Sequence, residues 1–229
     1  MRTLLSLRGL LLAGWFCASA ATAAQDAATN PPHHLQWEKT IRAFEAADIT
    51  NPPPQNAILL IGSSSIRKWT NAPGQFPDHR LINRGFGGSH LSDSVAFIER
   101  IVIPYQPRLV LLYAGDNDIA AGKSPAQVFA DFKEFVAKVQ GRLPQTRIAF
   151  IAIKPSPSRM PFIGPIKTAN QLIQNFIAAH SKLAYVDVFT PMLGADGQPR
   201  AELFVGDRLH LNDAGYKLWA GIVKPVLEK

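Results

Sequence analysis

The sequence has almost none of the cysteine needed for disulfides or thiolate metal sites. Its one cysteine is Cys17, within the first 24 residues. If that segment is removed, the mature chain has no thiol, which excludes disulfides and cysteine-ligated metals and is compatible with an oxidising compartment. Internal repeats and low-complexity tracts are also absent from the sequence.

Runs of basic residues are missing as well. The 229 residues carry a formal charge of +7, which falls to +5 without Arg2 and Arg8. The lysines and arginines are scattered, with no run of five and no interleaved aromatic residues, so a nucleic-acid partner is not indicated. A weak attraction to anionic surfaces or anionic glycans is compatible with this modest excess.

No apolar run is long enough to span a bilayer. Residues 1–24 instead have the pattern of a secretory signal, with two arginines, an apolar stretch at residues 10–16 and small residues before the cleavage zone. This pattern predicts a secreted or periplasmic protein without stable membrane insertion after cleavage. The alternative is an uncleaved N-terminal anchor.

The remaining chain divides into a lead-in, residues 25–56, and a main domain, residues 57–229. In the lead-in, apolar residues recur at helical spacing, which predicts a first helix near residues 35–47. The adjacent His33 and His34 diverge on any regular backbone, so we interpret them as solvated side chains and not as metal ligands.

Apolar runs alternate with helical patterns along the main domain. The five predicted strands are residues 57–62, 80–84, 109–113, 147–153 and 183–188. Helical patterns lie over residues 91–102, 125–143 and 166–180 and after Asn212, with Ser124 and Gln127 as a capping box for the second. Such alternation predicts an α/β protein, a three-layer α/β/α flavodoxin-like fold with a five-stranded parallel sheet.

Residues suited to catalysis follow four of the predicted strands. They are Ser64 after the first, Gly88 after the second, Asn117 after the third, and Asp207 with His210 after the fifth. Because ligands gather at the carboxyl ends of parallel strands, we expect these residues to converge. An ester hydrolase needs a hydroxyl nucleophile, a base, a group that orients the base and donors for the oxyanion. This set supplies all four.

The same segments resemble the SGNH, or GDSL-like, hydrolases. The matching blocks are Gly62-Ser63-Ser64, residues 83–88, Gly115-Asp116-Asn117-Asp118 and Asp207-Arg208-Leu209-His210. The resemblance spans about residues 57–225. It implies a serine esterase or acylhydrolase that works through an acyl-enzyme and needs no metal or cofactor.

The resemblance also implies a role for each residue of the blocks. Ser64 would be the nucleophile and His210 the base, with Asp207 orienting the imidazole. The backbone N–H groups of Ser64 and Gly88 and the side-chain amide of Asn117 would form the oxyanion hole. The Asp-x-x-His spacing is physically sensible because both side chains can hydrogen-bond across one turn.

One position departs from the family pattern. The residue before the nucleophile is usually acidic, but here it is Ser63, which leaves the choice among Ser63, Ser64 and Ser65 open. Asp116 and Asp118 are interpreted as residues that stabilise their loop, because Asp is common in tight turns.

The substrate is predicted only by class. Secretion, the modest positive charge and short loops without an apolar lid favour a short-chain, acetyl-type ester of a glycan or another small molecule. Trp69 and Phe86 are candidate substrate-binding residues, with packing in the core as the alternative. The oligomeric state is not predicted.

Three other functions fit parts of the pattern. The first is a lysophospholipase or thioesterase type of acylhydrolase, and the second is a catalytically silent glycan-binding protein of the same fold, supported by the Ser63 departure. The third is a metal-dependent phosphoesterase, suggested by the two aspartates of the Gly115-Asp116-Asn117-Asp118 run. The first strand ends in serines and offers no Asp-x-His pair, which disfavours this metal site.

Overall fold

A computed structural model describes residues 31–228, so the predicted signal segment and Cys17 lie outside the described residues. The strands are β1 (Ile58–Gly62), β2 (Leu81–Gly85), β3 (Leu109–Tyr113), β4 (Arg147–Ile151) and β5 (Leu183–Val186). They form one sheet in the order β2-β1-β3-β4-β5, and every neighbouring pair is parallel. The predicted five-stranded parallel sheet is therefore confirmed.

Helices connect the strands. Within residues 31–228 the α-helices are α1 (Glu38–Thr50), α2 (Ser64–Arg67), α3 (Ala72–Gln75), α4 (Leu91–Ala96), α5 (Ile98–Ile101), α6 (Asp116–Ala120), α7 (Pro125–Arg142), α8 (Ile163–Ala178) and α9 (Asp213–Leu227). Short 3₁₀ segments cover His33–Trp37, Ile103–Tyr105, Pro157–Phe162, Thr190–Met192 and Ala201–Leu203. In this part of the chain no helix is both long and apolar enough to cross a membrane.

The sheet is buried on both faces, which explains why its strands read as continuous apolar runs. Leu59 and Ile61 of β1 face a core built with α1, α4, α5, α7 and α8. Ile58 and Leu60, on the opposite face, pack with α2, α3 and α9. Successive strand residues point to opposite faces, so a strand covered by helices on both sides needs apolar residues at every position.

Helix boundaries follow local capping chemistry. Ser124 and Gln127 form the predicted capping box at the start of α7, with Gln127 N–H donating to Ser124 Oγ at 3.2 Å. Asn212 Oδ1 accepts from Gly215 N–H at 3.0 Å and so caps α9. The helical pattern predicted over residues 91–102 is instead split into α4 and α5 at Phe97, whose buried ring stays in the core.

The register of the sheet brings three strand ends side by side. Gly62, the last residue of β1, pairs with Gly85 of β2 on one side and Tyr113 of β3 on the other. The strand order reverses direction at β1, and in open α/β sheets the crevice at such a point is where ligands bind. The segments that leave these three strands therefore face one another.

Candidate active site

The turn after β1 presents Ser64 at the start of α2. Gly62 has φ +131°, and a Cβ there would lie 1.9 Å from the carbonyl oxygen of Tyr113. Ser63 N–H donates to that same oxygen at 3.0 Å. Only glycine fits so close to the β3 backbone, and this contact directs the chain out of the sheet at Ser64.

Ser64, His210 and Asp207 form a continuous chain of hydrogen bonds. Ser64 Oγ lies 2.9 Å from His210 Nε2, and His210 Nδ1 lies 2.6 Å from Asp207 Oδ2. With a proton on Nδ1, the ring donates to the carboxylate and Nε2 accepts from the serine hydroxyl. This is the arrangement that a serine nucleophile and its base require.

Asp207 is positioned by its own turn. Its Oδ1 accepts from the backbone N–H groups of Leu209 and His210, both at 2.9 Å. Partial burial alone would raise the pKa of Asp207, but the hydrogen bonds from the His210 ring and from these N–H groups hold it well below its ordinary value. The carboxylate therefore stays ionised at neutral pH, although 45% of its side chain is exposed.

The structure distinguishes among the three serines of the turn. Among residues 31–228, Ser64 is the one serine of this turn with a hydrogen bond to His210. The side chains of Ser63 and Ser65 are fully buried beneath it. Neither hydroxyl faces the solvent from which a substrate would arrive, so the geometry favours Ser64 as the nucleophile.

The three predicted oxyanion donors follow the neighbouring strands β1, β2 and β3. The backbone N–H groups of Ser64 and Gly88 have no backbone acceptor in the described part of the chain. Gly88 has φ +82°, a conformation that disfavours any residue with a Cβ. One N–H of the Asn117 amide donates to the carbonyl oxygen of Ser89 at 3.1 Å, which orients the amide and leaves its second N–H for a ligand.

A buried ion pair supports Asn117 from behind. Asp116 Oδ1 accepts from Asn117 N–H at 3.1 Å, and Asp116 Oδ2 pairs with Lys154 Nζ at 3.1 Å. Lys154 also donates to the Tyr113 hydroxyl at 3.0 Å. The side chains of Asp116 and Lys154 are only 3% and 1% exposed, so each charge depends on the other.

Asp118 has a comparable structural role. Its two carboxylate oxygens accept from Leu91 N–H at 3.1 and 3.0 Å, and Lys123 pairs with it at 3.0 Å. Burial raises the pKa of Asp118 to about 6 even though Lys123 opposes that shift. These contacts join α6 to the start of α4, in agreement with the interpretation of Asp116 and Asp118 as loop-stabilising residues.

The prediction that Trp69 and Phe86 bind the substrate is wrong. Trp69 and Phe86 are both 0% exposed. The Trp69 ring packs against Phe76, Tyr216 and Trp219, and Phe86 packs against Trp37 and Phe97. Both rings stabilise the core because their neighbours cover them completely, and a substrate cannot reach either one.

A groove next to His210 is a better candidate for binding the substrate. It has a volume of about 670 Å³ and is lined by Lys68, Thr70, Asn71, Val205, His210, Leu211, Asn212, Asp213, Ala214 and Tyr216. Val205 is 41% exposed in this groove. Most of these positions lie next to the first and last sequence blocks, which is the signal that could have indicated them.

The N-terminal 3₁₀ segment is anchored beside Gly88. Trp37 Nε1 donates to Asp93 Oδ2 at 3.2 Å, and His33 Nδ1 lies 2.9 Å from the same oxygen. His90 N–H also donates to it at 2.8 Å. His33 is solvent-exposed, as predicted, with 44% of its side chain accessible, but its ring is also hydrogen-bonded to a buried carboxylate.

His33, His90 and Asp93 lie close enough together to suggest a metal site. The rings of His33 and His90, however, are stacked with centroids 3.9 Å apart and an interplanar angle of 5°. Parallel rings direct their nitrogen lone pairs in parallel planes and not at one point, and Asp93 already accepts three hydrogen bonds. Burial lowers the pKa of His90 to about 4, so this ring is neutral at pH 7. The cluster of His33, His90 and Asp93 is suited to anchoring the 3₁₀ segment His33–Trp37.

Comparisons with known proteins give a consistent result. The model of the GDSL-like Lipase/Acylhydrolase family matches residues 60–218. No curated protein matches the chain significantly. Among solved structures, a Streptococcus pneumonia protein whose name refers to platelet activating factor has a TM-score of 0.74 at 22% identity, covering 91% of this chain and 100% of its own.

Two further solved structures share the fold. A GDSL-like lipase from Bacteroides thetaiotaomicron has a TM-score of 0.72 at 19% identity, covering 82% of this chain and 97% of its own. An acetylxylan esterase from Geobacillus stearothermophilus has a TM-score of 0.63 at 15% identity, covering 76% and 95%. Because the family model covers well over half of the sequence, the chain belongs to the GDSL-like lipase/acylhydrolase family and is a carboxylic ester hydrolase.

Proposed function

We propose that this protein is a serine esterase that hydrolyses short-chain acyl esters, of acetyl type, on a glycan or another small molecule. The observation that carries the proposal is the chain of hydrogen bonds from Ser64 through His210 to Asp207. The backbone N–H groups of Ser64 and Gly88, which have no backbone acceptor within residues 31–228, and the second N–H of the Asn117 amide would supply the oxyanion site.

The residues act in two half-reactions. In the first, Ser64 Oγ attacks the ester carbonyl carbon while His210 Nε2 takes the hydroxyl proton. The negative charge on the carbonyl oxygen is stabilised by the N–H groups of Ser64 and Gly88 and the Asn117 amide. Collapse of this intermediate breaks the bond to the alcohol, which leaves with the proton held by His210.

The second half-reaction releases the acyl group. Water attacks the acyl-enzyme carbonyl carbon, and His210 Nε2 now takes a proton from that water. The same donors stabilise the second oxyanion, after which Ser64 Oγ leaves and recovers its proton. Asp207 stays ionised throughout and keeps the ring in the tautomer that makes Nε2 the acceptor.

The surface near His210 supports a short acyl group. Lys68, Asn71 and Asp213 contribute polar or charged groups to the groove, which would be poor neighbours for a long alkyl chain. The Geobacillus stearothermophilus structure of the same fold is an acetylxylan esterase, which adds weak support for an acetylated glycan. The pattern of residues 1–24 supports a secreted or periplasmic location.

A series of p-nitrophenyl esters tests the acyl preference. We expect kcat/KM for acetyl and butyryl esters to exceed that for the dodecanoyl ester by at least about tenfold, since a long alkyl chain would desolvate the polar groups of Lys68, Asn71 and Asp213. A rate that rises with chain length would instead favour the lysophospholipase type. A folded protein that does not react with a serine-directed phosphonate would favour the silent glycan-binding alternative.

A further inference from the structure

Arg159 lies between the two sides of the catalytic site. It belongs to the 3₁₀ segment Pro157–Phe162, which follows β4 and packs against α6, the helix that carries Asn117. The preceding residue, Ser158, donates its backbone N–H to the carbonyl oxygen of Arg208 at 3.1 Å. Arg208 is part of the turn that holds Asp207 and His210, so this segment bridges the oxyanion donors and the base.

The Arg159 guanidinium has no partner among residues 31–228. Its Nε is shielded from solvent without a hydrogen bond, and the side chain forms no ion pair in this part of the chain. Arg67, Arg80 and Arg208 also lack ion pairs, but all three are exposed. The half-buried Arg108 and Arg147 lack ion pairs too, but both donate to backbone carbonyl oxygens, whereas the half-buried Arg159 has no acceptor among residues 31–228. A half-buried donor that meets neither water nor an acceptor is costly, which makes this arginine unusual.

Asp116 is close enough to interact with the charge of Arg159 but does not pair with it. Asp116 already binds Lys154 through one oxygen and Asn117 N–H through the other. Burial alone would raise the pKa of Asp116, but the positive charges of Lys154 and then Arg159 lower it below its ordinary value. Two cations therefore share one carboxylate, which leaves an excess positive charge beside Asn117.

The same loop contains a second unsatisfied group. Ser156 is fully buried, and its hydroxyl has no hydrogen-bond partner in the described part of the chain. A planar guanidinium with free donors is well suited to a carboxylate or a phosphate, which it binds through two parallel hydrogen bonds. An anion that reached the crevice would supply the missing partner of Arg159.

We propose that Arg159 binds an anionic group, a carboxylate or a phosphate, carried by the ester substrate. The inference rests on the proposed esterase function and narrows its substrate class to esters of acidic molecules, such as an acetylated glycan with uronic acid residues. It also assigns Arg159 as a specificity-determining residue next to the oxyanion site.

The test compares three acetyl esters in the wild type and Arg159→Gln. The substrates are O-acetylated methyl glucuronoside, acetyl glycerol phosphate and the neutral O-acetylated methyl glucoside. We expect Arg159→Gln to lower kcat/KM at least about tenfold on one or both anionic esters, mainly through KM, and to change the neutral ester less than about threefold. The ester with the larger loss identifies the anion as carboxylate or phosphate.

Two further variants keep the test sharp. Arg142→Gln removes the same charge from the end of α7 and should leave all three rates unchanged. Arg159→Lys keeps the positive charge but not the planar guanidinium with its paired donors, and should recover part of the loss.

Equal losses on the charged and neutral esters, or no loss on any, would overturn the inference while the esterase function stands. If the wild type cleaves none of the three and Ser64 does not react with a phosphonate, the proposed function fails and the inference falls with it.

Discussion

Two regions flank Ser64: the turn with His210 and Asp207, and the segments with Gly88 and Asn117. They differ in the exposure of their charged side chains and in how far apart in the sequence their hydrogen-bonded residues lie. His210 and Asp207 are three residues apart and bond across one turn, with Asp207 45% exposed. On the other side, Asn117 is held by Ser89, 28 residues away, and by a carboxylate and a lysine that are almost fully buried.

The difference follows from how each side keeps its charges in place. Solvent stabilises the exposed Asp207, so two backbone N–H groups and one ring are enough to orient it. The proposed oxyanion donors would be effective only in a water-poor crevice, because their electrostatic effect is screened in water. That side therefore needs buried partner charges, and Asp116 and Lys154 supply them.

The largest expected effect comes from removing the hydroxyl of Ser64, the proposed nucleophile that contacts His210. Ser64→Ala should lose roughly 10⁴-fold or more in kcat, because residues of such a triad fail as a unit. Steady-state hydrolysis of p-nitrophenyl acetate measures this loss. Ser63→Ala and Ser65→Ala are the matched controls and should lose far less, because neither hydroxyl contacts His210 in the described residues. A dead Ser63→Ala variant with an active Ser64→Ala would assign the nucleophile to Ser63.

The second prediction concerns Lys154, the buried cation of the ion pair next to Asn117. Lys154→Met leaves the buried Asp116 without its ion-pair partner, with only the charge of Arg159 nearby, and should lower the free energy of unfolding by about 3–5 kcal/mol at pH 7. Urea unfolding measures the change, with the exposed Lys217→Met on α9 as a control that should stay within about 0.5 kcal/mol. The double variant Lys154→Met with Asp116→Asn should recover part of the loss. If Lys154→Met were as stable as the wild type, the ion pair would not support this side.

Removing Asn117, the proposed oxyanion donor, should reduce kcat by less than removing Ser64. Asn117→Ala should reduce kcat by about 10²- to 10³-fold with little change in KM, because a donor of this kind acts mainly in the transition state. Asn175→Ala, on the exposed face of α8, is the control for loss of an asparagine elsewhere. A change confined to KM would make Asn117 a substrate-binding residue.

The smallest effect concerns the exposed carboxylate. The pKa of Asp207 is lowered in the folded state, so the folded protein binds fewer protons there, and the stabilisation is present above about pH 4 and lost as the pH falls below it. Asp207→Asn should thus be slightly less stable than the wild type at pH 7, with a difference that closes as the pH drops below about 4. Urea unfolding at several pH values measures it, and a pH-independent difference would contradict this account.

Several features followed directly from the residue pattern. Continuous apolar runs indicated strands covered on both faces, and the structure confirms all five of them. Ser124 with Gln127, and Asn212, predicted the starts of α7 and α9 because capping depends on residues within one turn. The Asp207–His210 contact was also predictable, since the Asp-x-x-His spacing lets both side chains hydrogen-bond across one turn.

Other features depended on residues far apart in the sequence. Trp69 and Phe86 are aromatic residues near the sequence blocks, but only packing decides that neighbouring rings cover them fully. The link from His33 and Trp37 to Asp93 joins parts of the chain about 60 residues apart, which no local pattern reveals. Lys154 and Arg159 follow β4 at the catalytic edge of the sheet, where the same rule that identified Ser64 and Asn117 could have indicated them.

The sequence by itself determined the alternation of strands and helices, the capped helix starts and the chemical types available at each strand end, because these depend on neighbours within a few residues. The tertiary structure alone decided which serine contacts His210 and which cation pairs with Asp116. Those outcomes depend on the register that aligns Gly62 with Gly85 and Tyr113, and register arises from the packing of both faces of the sheet at once.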